Sequence, residues 1–231
     1  MGLITGPAKG ETAKLNITDE GRRRILIGLS WDSKDLSHKE LLTQTLASLN
    51  DIAFGDITLI KANIKRIYEK ADLEGQDTDD QNFDLDLSCF AFNEQGIFQA
   101  LVDPLAWNAI DESGKIYHSG EDMTGDGGGD DEQVYFELNE LPDNLQELFI
   151  VVQSDCAHSF DKVLNPMIRV ADSKSDANCL QVNINQLEHS DAYGFVFCRI
   201  FKQNDSWHIT NISAFCQYKE NWSKFLAQYR G

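Results

Sequence analysis

Six strand-like runs follow one another in the second half of the chain, at residues 133–138, 147–153, 163–171, 179–184, 193–202 and 206–215. Short turns separate them, among them Leu141-Pro142-Asp143-Asn144 and Gln203-Asn204-Asp205-Ser206. Many short strands with no long helices between them cannot form a parallel sheet, which needs crossover connections. They call for an antiparallel sandwich or barrel, of which the β-sandwich is the fold class expected here. Pro166 sits inside one of the runs and has no N–H to give a ladder, so it marks an edge strand or a bulge.

The first half is less uniform. Residues 24–29, RILIGL, read as a buried strand that leads into the turn Gly28-Leu29-Ser30-Trp31-Asp32. Leu36, Leu41, Leu42, Leu46 and Leu49 then recur at helical spacing, and Ser37 with Glu40 offers a capping box, which predicts a helix over 38–49. Residues 56–71 fit neither period cleanly. From 83 the pattern becomes strand again. In FDLDLSCFAF, alternation puts Asp84, Asp86 and Ser88 on one face and Leu85, Leu87 and Cys89 on the other. Asn93-Glu94-Gln95-Gly96 is a hairpin-type turn, and residues 220–229 form a C-terminal helix with Trp222, Phe225, Leu226 and Tyr229 on one face. The simplest division is one domain over 1–231, with a partly helical insertion at 33–75 near the N-terminus.

Charge narrows the function. The formal net charge is -18, with 38 acidic against 20 basic residues, and such a surface repels nucleic acid and anionic membranes. Its natural counterions are divalent cations. The five cysteines, Cys89, Cys156, Cys179, Cys198 and Cys216, are odd in number and form no C-x-x-C pair, so they read as reduced, mostly buried thiols. No apolar run reaches the length of a signal peptide's core or of a membrane span, which places the chain in the cytoplasm with no direct membrane insertion.

The acids crowd into 72–86 and 121–132. The second cluster, GEDMTGDGGGDDE, offers Glu121, Asp122, Thr124, Asp126, Asp130, Asp131 and Glu132 as oxygen ligands, with glycines that let the backbone turn sharply. Calcium takes six to eight such hard ligands. The loop matches the opening of an EF-hand at Asp122, Thr124, Asp126 and Gly127, but Gln133 stands at the twelfth position and the flanks are strand-like. It is therefore not an EF-hand. Asp84 and Asp86 are the best additional ligands, because a cation between them removes the repulsion of two like charges on one strand face. The plainer alternative is a solvated Gly/Asp turn.

Other functions fit less well. A D-x-D pair can hold a metal for phosphoryl or glycosyl transfer, but there is no P-loop and no G-x-G-x-x-G. Gly28-Leu29-Ser30-Trp31-Asp32 is not a nucleophile elbow. His118, His158, His189 and His208 are scattered and read as packed or surface residues, so no catalytic residue is assigned. A metal-free acidic module that binds basic partners is a further alternative.

The segments DLDLSCFAFNEQG, IYHSGEDMTGDGGGDDEQVYFELNELP, LFIVVQS and SFDKVLNPMIRVAD, with LNIT and ILIGLSWD upstream, resemble the TerD family of bacterial tellurite-resistance and stress-response proteins. That resemblance covers 15–32 and 83 to about 218. It implies a β-sandwich that binds Ca2+ through acidic loops and has no established catalytic activity. It also implies protein partners in a stress-response complex, with any membrane association made through them. Asp84 and Asp86 match the family's D-L-D acids, and Asp130, Asp131 and Glu132 its closing acids. Asp122 stands where the family has Asn, Glu121 replaces an Asp and Gly128 replaces an acid. The segment 33–82 is much longer than the family's usual link and implies a different partner surface.

Overall fold

The computed structural model describes residues 5–18, 21, 23–32, 83–123, 125, 128–154, 159–188, 191–217 and 221–230. The helix expected at 38–49 and the insertion at 33–75 lie outside the described residues. Eleven strands are described: β1 (Thr12–Lys14), β2 (Arg24–Asp32), β3 (Leu85–Phe92), β4 (Phe98–Val102), β5 (Ile116–His118), β6 (Glu132–Glu137), β7 (Glu147–Ser154), β8 (Leu164–Asp172), β9 (Asn178–Asn183), β10 (Gly194–Gln203) and β11 (Ser206–Cys216). They form two antiparallel sheets, one ordered β1-β11-β10-β7-β3-β4 and the other β5-β6-β2-β8-β9. All six expected runs of the second half are strands.

Side-chain alternation explains the layering. Ile25, Ile27 and Leu29 of β2 face Leu85, Leu87 and Cys89 of β3 within one cluster that fills the space between the sheets. A second cluster lies on the outer face of the six-stranded sheet. There Phe90, Phe92, Phe149, Val151, Val196 and Ile212 meet Trp222 and Leu226 of the short helix α1 (Trp222–Leu226), which continues as a 3-10 turn over Ala227–Tyr229. This cover explains why Phe149–Val152 and Phe195–Cys198 are apolar without interruption: both of their faces are buried. The expected helical face is confirmed, and Asn221 caps the helix by accepting from the Lys224 N–H.

The covering stops partway along β3. Phe90 and Phe92 lie in the cluster that α1 covers, whereas Asp84 and Asp86, on the same outer face, stay half-buried. Turn chemistry also follows the sequence. The β10–β11 hairpin closes through Asn204 (φ 49) and Asp205 (φ 57), the left-handed pair of a two-residue turn. Pro166 marks a bulge and not an edge, since β8 lies between β2 and β9 and its register with β2 shifts between Ser30 and Asp32.

Phe149 is fully buried and packs edge-on against Phe92 at 5.7 Å between centroids. Phe149→Ala is expected to lower unfolding free energy in urea by about 3–5 kcal/mol, the usual cost of a large aromatic cavity.

Candidate metal centre

Pairing of β3 with β4 runs only from Cys89 to Phe92, so the first half of β3 lacks that neighbour. The Leu87 N–H instead donates to Glu132 Oε2 at 2.8 Å, a contact that crosses from one sheet to the other. Glu132 is fully buried, and its other oxygen accepts from the Asp122 N–H at 3.4 Å. His118 Nε2 stands 3.5 Å from Glu132 Oε2. Its Nδ1 accepts from the Gly120 N–H, which puts the ring proton on Nε2, facing the carboxylate. Burial pushes the Glu132 carboxyl up, while His118 and the Leu87 N–H pull it back.

The loop between β5 and β6 is anchored to the end of β2. The Asp131 N–H donates to the Leu29 carbonyl, and Asp131 Oδ2 accepts from the Trp31 N–H at 2.8 Å. Gly125 (φ +63) lies against the Trp31 indole so closely that a Cβ would come within 2.6 Å of the ring. Trp31 is fixed in turn by its Nε1, which donates to the Phe83 carbonyl at 3.0 Å, just before Asp84. Loop, β2 and the start of β3 thus hold one another.

Asp130 has a different role. Arg169 of β8 grips it as a fork, Nε to Oδ1 at 2.9 Å and Nη2 to Oδ2 at 2.8 Å, and its side chain is 4% exposed. This pair lies across Gly28, where a Cβ would sit 2.2 Å from the Asp130 carboxyl carbon. Asp131 is pushed up to about 6. Burial is the main cause, the Trp31 N–H opposes it, and the charges of Asp122, Asp130 and Asp32 add to it.

Three of the expected ligands converge. Oxygens of Asp84, Asp86 and Glu121 all lie within 4.8 Å of one another. Oxygens bound at about 2.4 Å to one calcium ion are at most about 4.8 Å apart, so the set fits one hard cation. Asp122, Asp130, Asp131 and Glu132 form the surrounding frame: Asp122 Oδ1 accepts from the Gly125 N–H, and the others bind as described. Thr124 and Asp126 lie outside the described residues. Composition did not reveal the partners that hold this frame. His118 read as an isolated histidine, and Arg169, 39 positions from Asp130, carried no local signal.

The arrangement defines a two-sheet β-sandwich protein with a carboxylate cluster at one end of a strand. Residues 7–229 match the TerD domain, and the chain belongs to that family of tellurium-resistance and stress-response proteins. It is 26% identical to tellurium resistance protein TerD of Serratia marcescens over 182 residues, 76% of this chain and 93% of that protein. General stress protein 16U of Bacillus subtilis (strain 168) is 22% identical over 212 residues, 90% of this chain and 88% of that one. The crystal structure of a homologue of telluride resistance protein (TerD) from Streptomyces coelicolor A3(2) superposes with a TM-score of 0.58. It covers 90% of this chain and 96% of its own at 14% identity, a likeness of fold. Among the described residues no helix is long and apolar enough to cross a membrane.

A carboxyl raised by folding stabilises the protein fully below its unfolded pKa and loses that contribution as pH rises through its folded value. For Asp131 the loss falls between the ordinary 3.8 and about 6. In chelator, Asp131→Asn is expected to be more stable than the parent at about pH 8 and to lose that advantage at about pH 4, read by urea denaturation. An advantage that does not change with pH would assign the effect to packing.

Proposed function

We propose that this chain is a non-enzymatic, cytoplasmic calcium-binding protein of a bacterial tellurite-resistance and stress-response system, acting as a calcium-dependent interaction module. The observation that carries this reading is the convergence of Asp84, Asp86 and Glu121 from a strand and a loop that brace each other through Glu132 and Trp31. The donors are all carboxylate oxygens, the chemistry of calcium and not of a softer metal. Three negative charges this close repel one another, and a divalent cation removes that cost.

Binding is favoured over turnover by where the reactive groups lie. The His118–Glu132 pair is fully buried, with the Glu132 oxygens already accepting the Leu87 and Asp122 N–H groups. A general base sealed in this way cannot reach a substrate proton. The role of a bound ion is then to order the loop and set the charge of the surface presented to protein partners.

The test is a melting curve with millimolar calcium against chelator. A ligand that binds only the folded form adds about 2.7 kcal/mol at a hundredfold excess over Kd, which is a readable rise in Tm. The parent is expected to show the rise and the Asp84→Asn/Asp86→Asn variant to lose it. An unchanged parent Tm sinks the reading. Asp130→Asn is expected to lower Tm in chelator, because Arg169 loses its buried carboxylate partner and keeps the exposed Asp176, while the calcium-induced rise remains.

A further inference from the structure

The acidic cluster is one end of a larger feature. A groove of about 420 Å³ runs along the outer face of the six-stranded sheet, where α1 leaves β3 uncovered. Asp84, Asp86 and Glu121 stand in its wall. The rest of the lining is largely apolar, with Phe90, Leu101, Leu105 and Met123 facing the same space. Leu105 is 44% exposed and Met123 62%, and Trp107, two residues beyond Leu105, is 77% exposed. Large apolar side chains left in water beside a cluster of charges are the ordinary mark of a surface that meets another molecule.

A second observation comes from the wall that α1 provides. Trp222 is only 7% exposed, lines the groove, and its Nε1 is buried with no hydrogen-bond acceptor among the described residues. That nitrogen has almost no surface open to the groove, so Trp222 serves it as an apolar wall, packed against Phe90 at 6.2 Å between ring centroids.

Charge decides between occupants. One calcium ion changes the chain's formal charge of -18 by only two units, so the chain stays strongly acidic with the ion bound. An anionic ligand or lipid surface is therefore repelled whether or not the ion is present. A segment carrying Lys or Arg among aliphatic residues matches both parts of the groove, its cationic heads at the carboxylates and its apolar stems on the opposite wall.

We propose that this groove docks a basic, apolar-rich segment of a partner protein, and that calcium and the segment exclude each other because both use the carboxylates of Asp84, Asp86 and Glu121. The inference rests on the calcium reading and sets its direction: the ion releases the partner. Calcium carries two charges on one small centre, whereas a lysine or arginine brings one charge with a longer reach, so the exchange responds to calcium concentration. The Met123 and Leu105 side chains act on the segment alone, because neither carries an oxygen for the ion.

The experiment uses the full chain and a fluorophore-labelled amphipathic Leu/Lys peptide, read by fluorescence anisotropy, with calcium binding followed separately by calorimetry. The peptide is expected to bind in chelator and to weaken about tenfold or more in millimolar calcium, as it should when its charged contacts are displaced. Asp84→Asn/Asp86→Asn is expected to weaken the peptide and abolish the calcium effect. Leu105→Ser/Met123→Ser is expected to weaken the peptide and leave the calorimetric calcium affinity unchanged. Peptide bound equally with and without calcium, in a protein that calorimetry shows to bind the ion, overturns the inference and leaves the calcium reading standing. Absence of calcium heat, with peptide binding still lost in the Asp84→Asn/Asp86→Asn variant, sinks the calcium reading and the exclusion but supports the docking groove. Calcium-dependent binding to phosphatidylserine vesicles, lost in the Leu105→Ser/Met123→Ser variant, would assign the groove to a lipid surface and overturn the proposal.

Discussion

Glu132 reaches from β6 of one sheet to the Leu87 N–H on β3 of the other, at the point where β3 has run out of pairing with β4. Paired there with β7 alone, this end of β3 has one edge open, and two like charges on a single face weaken it further. The buried carboxylate replaces the missing ladder bond and so keeps Asp84 and Asp86 on an extended, regularly alternating backbone. His118 and the Asp122 N–H complete the shell around Glu132, and His118 also takes the Gly120 N–H at the start of the loop. The geometry of the carboxylate cluster therefore depends on a residue that contributes nothing to it directly.

The acids of this end divide according to what surrounds them. Asp130 and Glu132 are spent inside the protein, on a guanidinium and on backbone N–H groups. Asp84, Asp86 and Glu121 stand around a common point at the surface. Asp131 lies between the two groups, tied to Trp31 yet raised by burial and by its acidic neighbours. Apolar residues beside the outer group give the same surface a second chemistry, and its shape is set by where α1 stops covering the sheet.

Much of this was legible in the residues. Alternation in DLDLSCFAF placed Asp84 and Asp86 outward, and the Asn93–Gly96 and Gln203–Ser206 turns are hairpins as their composition required. Pro166 in a strand signalled an edge or a bulge, of which the bulge is found, and the apolar face of α1 was readable from Trp222, Phe225, Leu226 and Tyr229. What local pattern could not supply was the choice of partner. Asp130 and Asp131 are adjacent and chemically identical, yet one faces Arg169 and the other Trp31, because the register of β2 and β8 sets Gly28 opposite Arg169. Long-range pairing of this kind depends on sheet order, which a period of two does not encode. The buried role of His118 was hidden for the same reason: its carboxylate lies across the loop, 14 residues away.

Trp31 has a consequence of a different sort. Its indole is almost wholly buried, is approached closely by Gly125 of the acidic loop and donates to the carbonyl just before Asp84. Indole emission responds to polarity and to hydrogen bonding at the ring nitrogen. The fold has thus placed a chromophore of its own at the junction of strand and loop, and any rearrangement there changes the colour of its light without a label being added.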